Sequence, residues 1–251
     1  MNNVGIAFIL TILAGFSTMI GTFLIFIKKK NDNIIISSLS FASGVMLSVS
    51  IFDLIPESFN LLSSIFKITP TILFILIFIS LGIILSMLID KYLPDNIETK
   101  NNKNLYRVGI FSMIAIILHN IPEGIATFMA TNSDISLGIS LALAIALHNI
   151  PEGISISVPL YYSSKSRGKA LLYTFISGIS EPFGALLTFS LLKNFINDIV
   201  MGFLFSLIAG IMSQIALYEL LPTSLKYKNR GLSYLFFIIG FVFMIITHFI
   251  F

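Results

Sequence analysis

Residues 118–130 read "LHNIPEGIATFMA", and residues 147–159 repeat nearly the same words as "LHNIPEGISISVP". Each copy sets a histidine, an asparagine and a glutamate in an otherwise apolar run. Successive residues of an α-helix turn by about 100°, so His119 and Glu123, at i and i+4, lie within about 40° of one another. Asn120 stands on the far side of Glu123, and the same holds for His148, Asn149 and Glu152. Each glutamate can therefore offer one oxygen toward an imidazole and the other toward an amide. Pro122 and Pro151 lack an N–H and free the carbonyls of Leu118 and Leu147. Gly124 and Gly153 admit a neighbouring helix at close range.

The surroundings explain why such a string is unusual. Of the 251 residues, 56% are hydrophobic and only 11% charged, with a mean hydropathy of +0.97. A water-soluble domain carries about a quarter of its residues as charges, so this chain is a membrane protein. Eight apolar stretches of spanning length fall near 4–27, 34–58, 69–90, 107–130, 136–161, 169–192, 199–222 and 232–251. The first is followed by Lys28, Lys29 and Lys30; a signal peptide carries its basic residues ahead of its apolar run, so the stretch is expected to stay as a helix. Thirteen of the 15 basic residues lie in the loops between spans 1–2, 3–4, 5–6 and 7–8. Lys67 and Lys193 alone fall on the other side. The positive-inside rule then puts both termini outside the cytoplasm. Because the basic charge is a topology signal, nucleic-acid binding is excluded. No domain-sized loop exists, so residues 1–251 are expected to form one transmembrane domain in the cell membrane. With no cysteine, disulfides, thiolate metal sites and thiol nucleophiles are absent.

The acids left inside the spans are Asp53, Glu57, Glu123, Glu152, Glu181 and Glu219, and no lysine or arginine lies deep enough to neutralise them. An unpaired carboxylate in a bilayer costs several kcal/mol or takes up a proton. A visiting cation removes that cost. His119 and His148 fall about 12 residues into their spans, near mid-bilayer. Opposing the two faces makes two adjacent pockets bridged by Glu123 and Glu152. The imidazole-rich pocket suits zinc, iron, cobalt or nickel, and the amide- and carboxylate-rich one suits harder ions. One intramembrane histidine or asparagine is commonly an interhelical hydrogen bond; two copies of a six-residue string, each with a glutamate, are not explained that way.

A second duplication pairs "FDLIPES" (52–58), closing span 2, with "YELLPTS" (218–224), closing span 7. The two spans run in opposite senses, so the copies lie at opposite faces. Three spans repeated in inverted sense around a central pair, 3+2+3, is a transporter arrangement. Asp53 and Glu57 would line the outer mouth and Glu219 the inner one. Glu181, in "SGISEPFGA" (177–185), would face the same cavity from span 6. Tyr218, Ser177 and Ser180 are expected to pack or to line a gate, and His248 to sit at the membrane interface.

"HNIPEG" in spans 4 and 5, "SGISEPFGA" in span 6 and the eight-span layout together resemble the ZIP (Zrt-, Irt-like protein) family of divalent metal transporters, especially its short bacterial members. The resemblance covers the whole chain. It implies that His119, Asn120, Glu123, His148, Asn149 and Glu152 form a two-metal transport site, that Glu181 joins the second metal, and that Met46 in "SGVMLSVSIFD" can contact the first. It further implies import of Zn²⁺, with Fe²⁺, Mn²⁺, Co²⁺ and Cd²⁺ as related ions. Spans 1, 4, 5 and 6 would move against spans 2, 3, 7 and 8, often in a homodimer. The residues themselves leave two rivals. An intramembrane zinc hydrolase would use His and Glu at i, i+4, but the chain holds no HExxH. A proton-driven carrier of organic substrates explains the acids but not the imidazoles.

Overall fold

The computed structural model describes residues 3–27, 32–93, 103–192 and 195–250. Lys28, Lys29, Lys30, Lys100 and Lys193 lie outside them. Among the described residues there is no strand, and eight helices are long and apolar enough to cross a membrane: α1 Asn3–Phe26, α2 Asp32–Ser63, α3 Ile68–Tyr92, α4 Asn104–Ser133, α5 Ile135–Ser164, α6 Arg167–Leu191, α7 Asp198–Leu225 and α8 Arg230–Ile250. They match the expected spans in number and order. The short connectors are set by caps. Asp134 accepts from Ser136 N and Leu137 N at 2.7 and 3.0 Å; Ser166 accepts from Lys169 N and Asn197 from Val200 N. Each cap satisfies amides that a helix start leaves bare.

One expectation changes. "FDLIPES" does not close its span, because α2 continues through Pro56 to Ser63. The helix widens to a π turn over Ser50–Leu54 immediately before the proline, which accommodates a ring that removes a ladder bond. The other copy does the same: Ile215–Leu220 is a π turn preceding Pro222. Placed side by side, the two stretches agree further upstream, "SGVM" (43–46) against "AGIM" (209–212), and Met46 and Met212 are both fully buried.

Helices α1, α4, α5 and α6 pack on one another; α2 packs on α3, α7 and α8, and α3 on α7; α5 also meets α2. Glycines set the close approaches, and they come in reciprocal pairs. Gly15 of α1 and Gly178 of α6 each abut the other's carbonyl. Gly44 of α2 meets Phe237 of α8 while Gly240 of α8 meets Phe41 of α2; Gly82 of α3 meets Leu207 of α7 while Gly210 of α7 meets Ile79 of α3. A side chain at any of these points would strike backbone. Two hydroxyl pairs fasten α2 to α7, Ser40 to Ser224 at 2.8 Å and Ser58 to Ser206 at 2.5 Å.

Candidate metal site

The two HNIPEG copies face each other across α4 and α5, and both helices run through their prolines unbroken. All six polar residues of the copies are buried. His148 Nε2 lies 2.7 Å from Glu123 Oε1. His119 Nε2 is 3.1 Å from Glu123 Oε1 and 3.3 Å from Glu152 Oε1. Donor atoms of His119, Glu123 and His148 all fall within 4.8 Å of one another, a spacing at which imidazole nitrogens and a carboxylate can share one divalent ion. The glycines of the motif let this happen: a Cβ on Gly124 would strike the Glu181 carbonyl of α6, and one on Gly153 the Thr18 carbonyl of α1.

A second layer lies on the amide side. Asn149 Nδ2 donates to Glu181 Oε2 at 2.9 Å and to the Ala14 carbonyl at 3.0 Å; Asn120 Nδ2 donates to the Ser177 carbonyl at 3.2 Å. With both amide protons of Asn149 and one of Asn120 engaged in this way, both asparagines present Oδ1. Those two oxygens, Glu123 Oε2, Glu181 Oε1 and Glu152 Oε2 are buried and lack a hydrogen-bond partner, and Glu152 Oε1 has only the His119 imidazole at 3.3 Å. Buried polar atoms are ordinarily paired, and acceptors gathered without donors are what a cation requires.

A cavity of about 570 Å³ opens on the face that carries the ends of α2, α4 and α8, and its floor includes Glu123 and His148. Asp53, Glu57 and Asp198 line its upper walls. His248, expected at the membrane interface, is exposed in the last turn of α8 and meets Asp53 with its Nδ1, 2.5 Å from Oδ1. Glu219 sits in the opposite half, half-buried, with Asp90, Arg107 and Lys226 as the charges acting on it. There Arg107 Nη2 pairs with Asp90 Oδ1 at 3.0 Å and with the Asp90 carbonyl. Asp90, Arg107 and Asp198 were not singled out from the sequence, because loop-end charges look alike until helices are packed. Met46 is fully buried in α2.

The fold and this cluster define a multi-span membrane protein built around buried histidine and glutamate side chains that are spaced as metal ligands can be. The chain belongs to the ZIP zinc transporter family, whose description matches residues 94–248. It is 41% identical to the zinc transporter ZupT of Clostridium perfringens over 98% of this chain and 96% of that one. It is 43% identical to the ZupT of Streptococcus mutans over 90% of each chain, and 37% identical to that of Campylobacter jejuni over 89% of each. The family and the eight spans place the protein in the cell membrane as a multi-pass protein.

Proposed function

We propose that the protein imports zinc into the cytoplasm by alternating access, through a two-ion site at mid-membrane, and catalyses no bond chemistry. The carrying observation is the cluster of His119, Glu123, His148 and Glu152, whose Glu123 and His148 form the floor of an open cavity while His119 and Glu152 lie buried beside them, with carboxylate oxygens that no hydrogen-bond donor serves. The relatives it resembles are named zinc transporters, and nothing in that company favours a hydrolase. The positive-inside rule makes the open face the extracytoplasmic one. In this reading the two imidazoles and the bridging glutamates hold the first ion, with Met46 beside it. Asn120, Asn149 and Glu181 join Glu123 and Glu152 around the second. Asp53 and Glu57 serve the entrance and Glu219 the exit. Fe²⁺, Mn²⁺, Co²⁺ and Cd²⁺ are the further ions such donors suit.

Residues 1–251 act as one domain, an inverted 3+2+3 repeat that can also pair as a homodimer. The reciprocal glycine contacts support the repeat. Exchanging α1 with α6, α2 with α7, α3 with α8 and α4 with α5 carries Gly15 to Gly178, Gly44 to Gly210, Gly82 to Gly240 and Gly124 to Gly153. It also carries the Ser40–Ser224 pair onto Ser206–Ser58. Liposomes holding purified protein test the mechanism: Glu123→Gln keeps shape but removes the bridging charge, so zinc uptake should fall to background. Undiminished uptake would sink it.

A further inference from the structure

The same exchange that matches α1 to α6 sets "AGFSTMIGT" (14–22) against "SGISEPFGA" (177–185), and the packing follows it atom group by atom group. Asn149 bonds the Ala14 carbonyl as Asn120 bonds that of Ser177. Ser17 bonds back to Ala14 as Ser180 does to Ser177. Gly153 rests on the Thr18 carbonyl as Gly124 rests on that of Glu181. A Cβ built on Gly15 would lie 3.2 Å from Glu181 Cβ, and one on Gly178 would lie 3.5 Å from Thr18 Cβ. Thr18 therefore stands toward Asn120 as Glu181 stands toward Asn149.

The Thr18 hydroxyl behaves unlike its neighbours. Helical threonines and serines usually bond a carbonyl one turn back, and Thr11, Ser17 and Thr22 all do so, at 3.0, 2.6 and 2.6 Å. Thr18 is fully buried, yet its Oγ1 has no partner. The carbonyl it would ordinarily use, that of Ala14, already accepts from Asn149 and Ser17. A buried hydroxyl denied its local acceptor, at the position that the helix exchange matches to Glu181, is an oxygen ligand held in reserve, and Asn120 Oδ1 is likewise unpartnered.

The geometry points to Thr18 as a specificity-determining residue of the second ion pocket, a neutral hydroxyl ligand facing the carboxylate of Glu181. This rests on the two-ion reading above. The pocket is then all oxygen, and beyond the bridging Glu123 and Glu152 only the Glu181 side adds a charge. Its ion sits toward Glu181 and Asn149, and it is held more weakly than a symmetric pair of carboxylates would hold it.

Zinc titration of the detergent-solubilised protein by calorimetry tests this. Wild type should bind two Zn²⁺ per chain, the second more weakly. Thr18→Val, which keeps the shape and removes the hydroxyl, should weaken the second event about five- to tenfold and leave the first unchanged. Thr18→Ser should restore the wild-type value. Two ions bound identically by wild type and Thr18→Val would overturn the role of Thr18 while leaving the two-ion reading intact. A single ion bound by wild type would overturn both. Thermal unfolding of each variant separates ligand loss from packing loss, because a merely structural threonine would shift the melting point and both binding events together.

Discussion

The two mouths of the molecule are built from matching positions and behave in opposite ways. On one face Asp53 meets His248, with Glu57 and Asp198 nearby, around an open cavity. On the other, the same exchange of helices brings Glu219 beside Asp90, and Arg107 of α4 clasps Asp90 of α3. Around that clasp Leu105, Tyr106, Val108 and Leu160 are buried. The open mouth joins an acid to an imidazole within one group of four helices. The closed mouth carries a full ion pair that ties the two groups together. Surface ion pairs contribute little to stability, so the clasp matters through where it sits: in the proposed alternating access it links parts that would separate for that side to open.

The contrast can be broken experimentally. With no native cysteine, single cysteines report access without background. Ala126→Cys, on the open cavity, should react with a membrane-impermeant maleimide at least tenfold faster than Val108→Cys, buried beside the clasp; equal rates would refute the asymmetry. A smaller effect is expected from Arg107→Gln. Added to Val108→Cys, it should raise labelling from the face that carries the clasp several-fold, and a rate unchanged by the substitution would show that the ion pair does not hold that side shut. The smallest effect belongs to His248→Ala. Its pair with Asp53 is more than one-third exposed at the imidazole, so zinc uptake should change by no more than about threefold, seen in KM at low zinc rather than in the maximal rate. A loss of maximal rate would move His248 from the entrance into the transport site itself.

Much of this was legible from residues alone, for reasons that are physical. Crossing a bilayer takes about 20 apolar residues, a length that no packing detail can blur, so the eight spans came out in place. The paired HNIPEG strings were legible because a helix fixes which of their side chains share a face. The continuation of α2 past Pro56 was not, since a proline reads as a stop until a π turn is seen to absorb it. The kinship of α1 with α6 was hidden too. Only Gly15, Ser17 and Gly21 of "AGFSTMIGT" survive in "SGISEPFGA" at matching places, and what is shared is backbone contact, which sequence identity records poorly. The Asp53–His248 and Arg107–Asp90 pairs join distant stretches of chain, and local pattern says nothing of such partners.

The glycine contacts have a mechanical meaning. Every backbone approach described at a glycine, from Gly15 on Gly178 to Gly210 on Ile79, stays inside one group of four helices. A seam in which carbonyls rest on bare Cα atoms has one register, and a shift of even an ångström drives backbone into backbone. The α2–α5 boundary has no such seam among these glycines, and side chains that interdigitate across it can disengage and reseat in discrete steps. The chain thus writes two kinds of contact in different alphabets: glycine where helices of one group meet backbone to backbone, and larger side chains where the two groups meet.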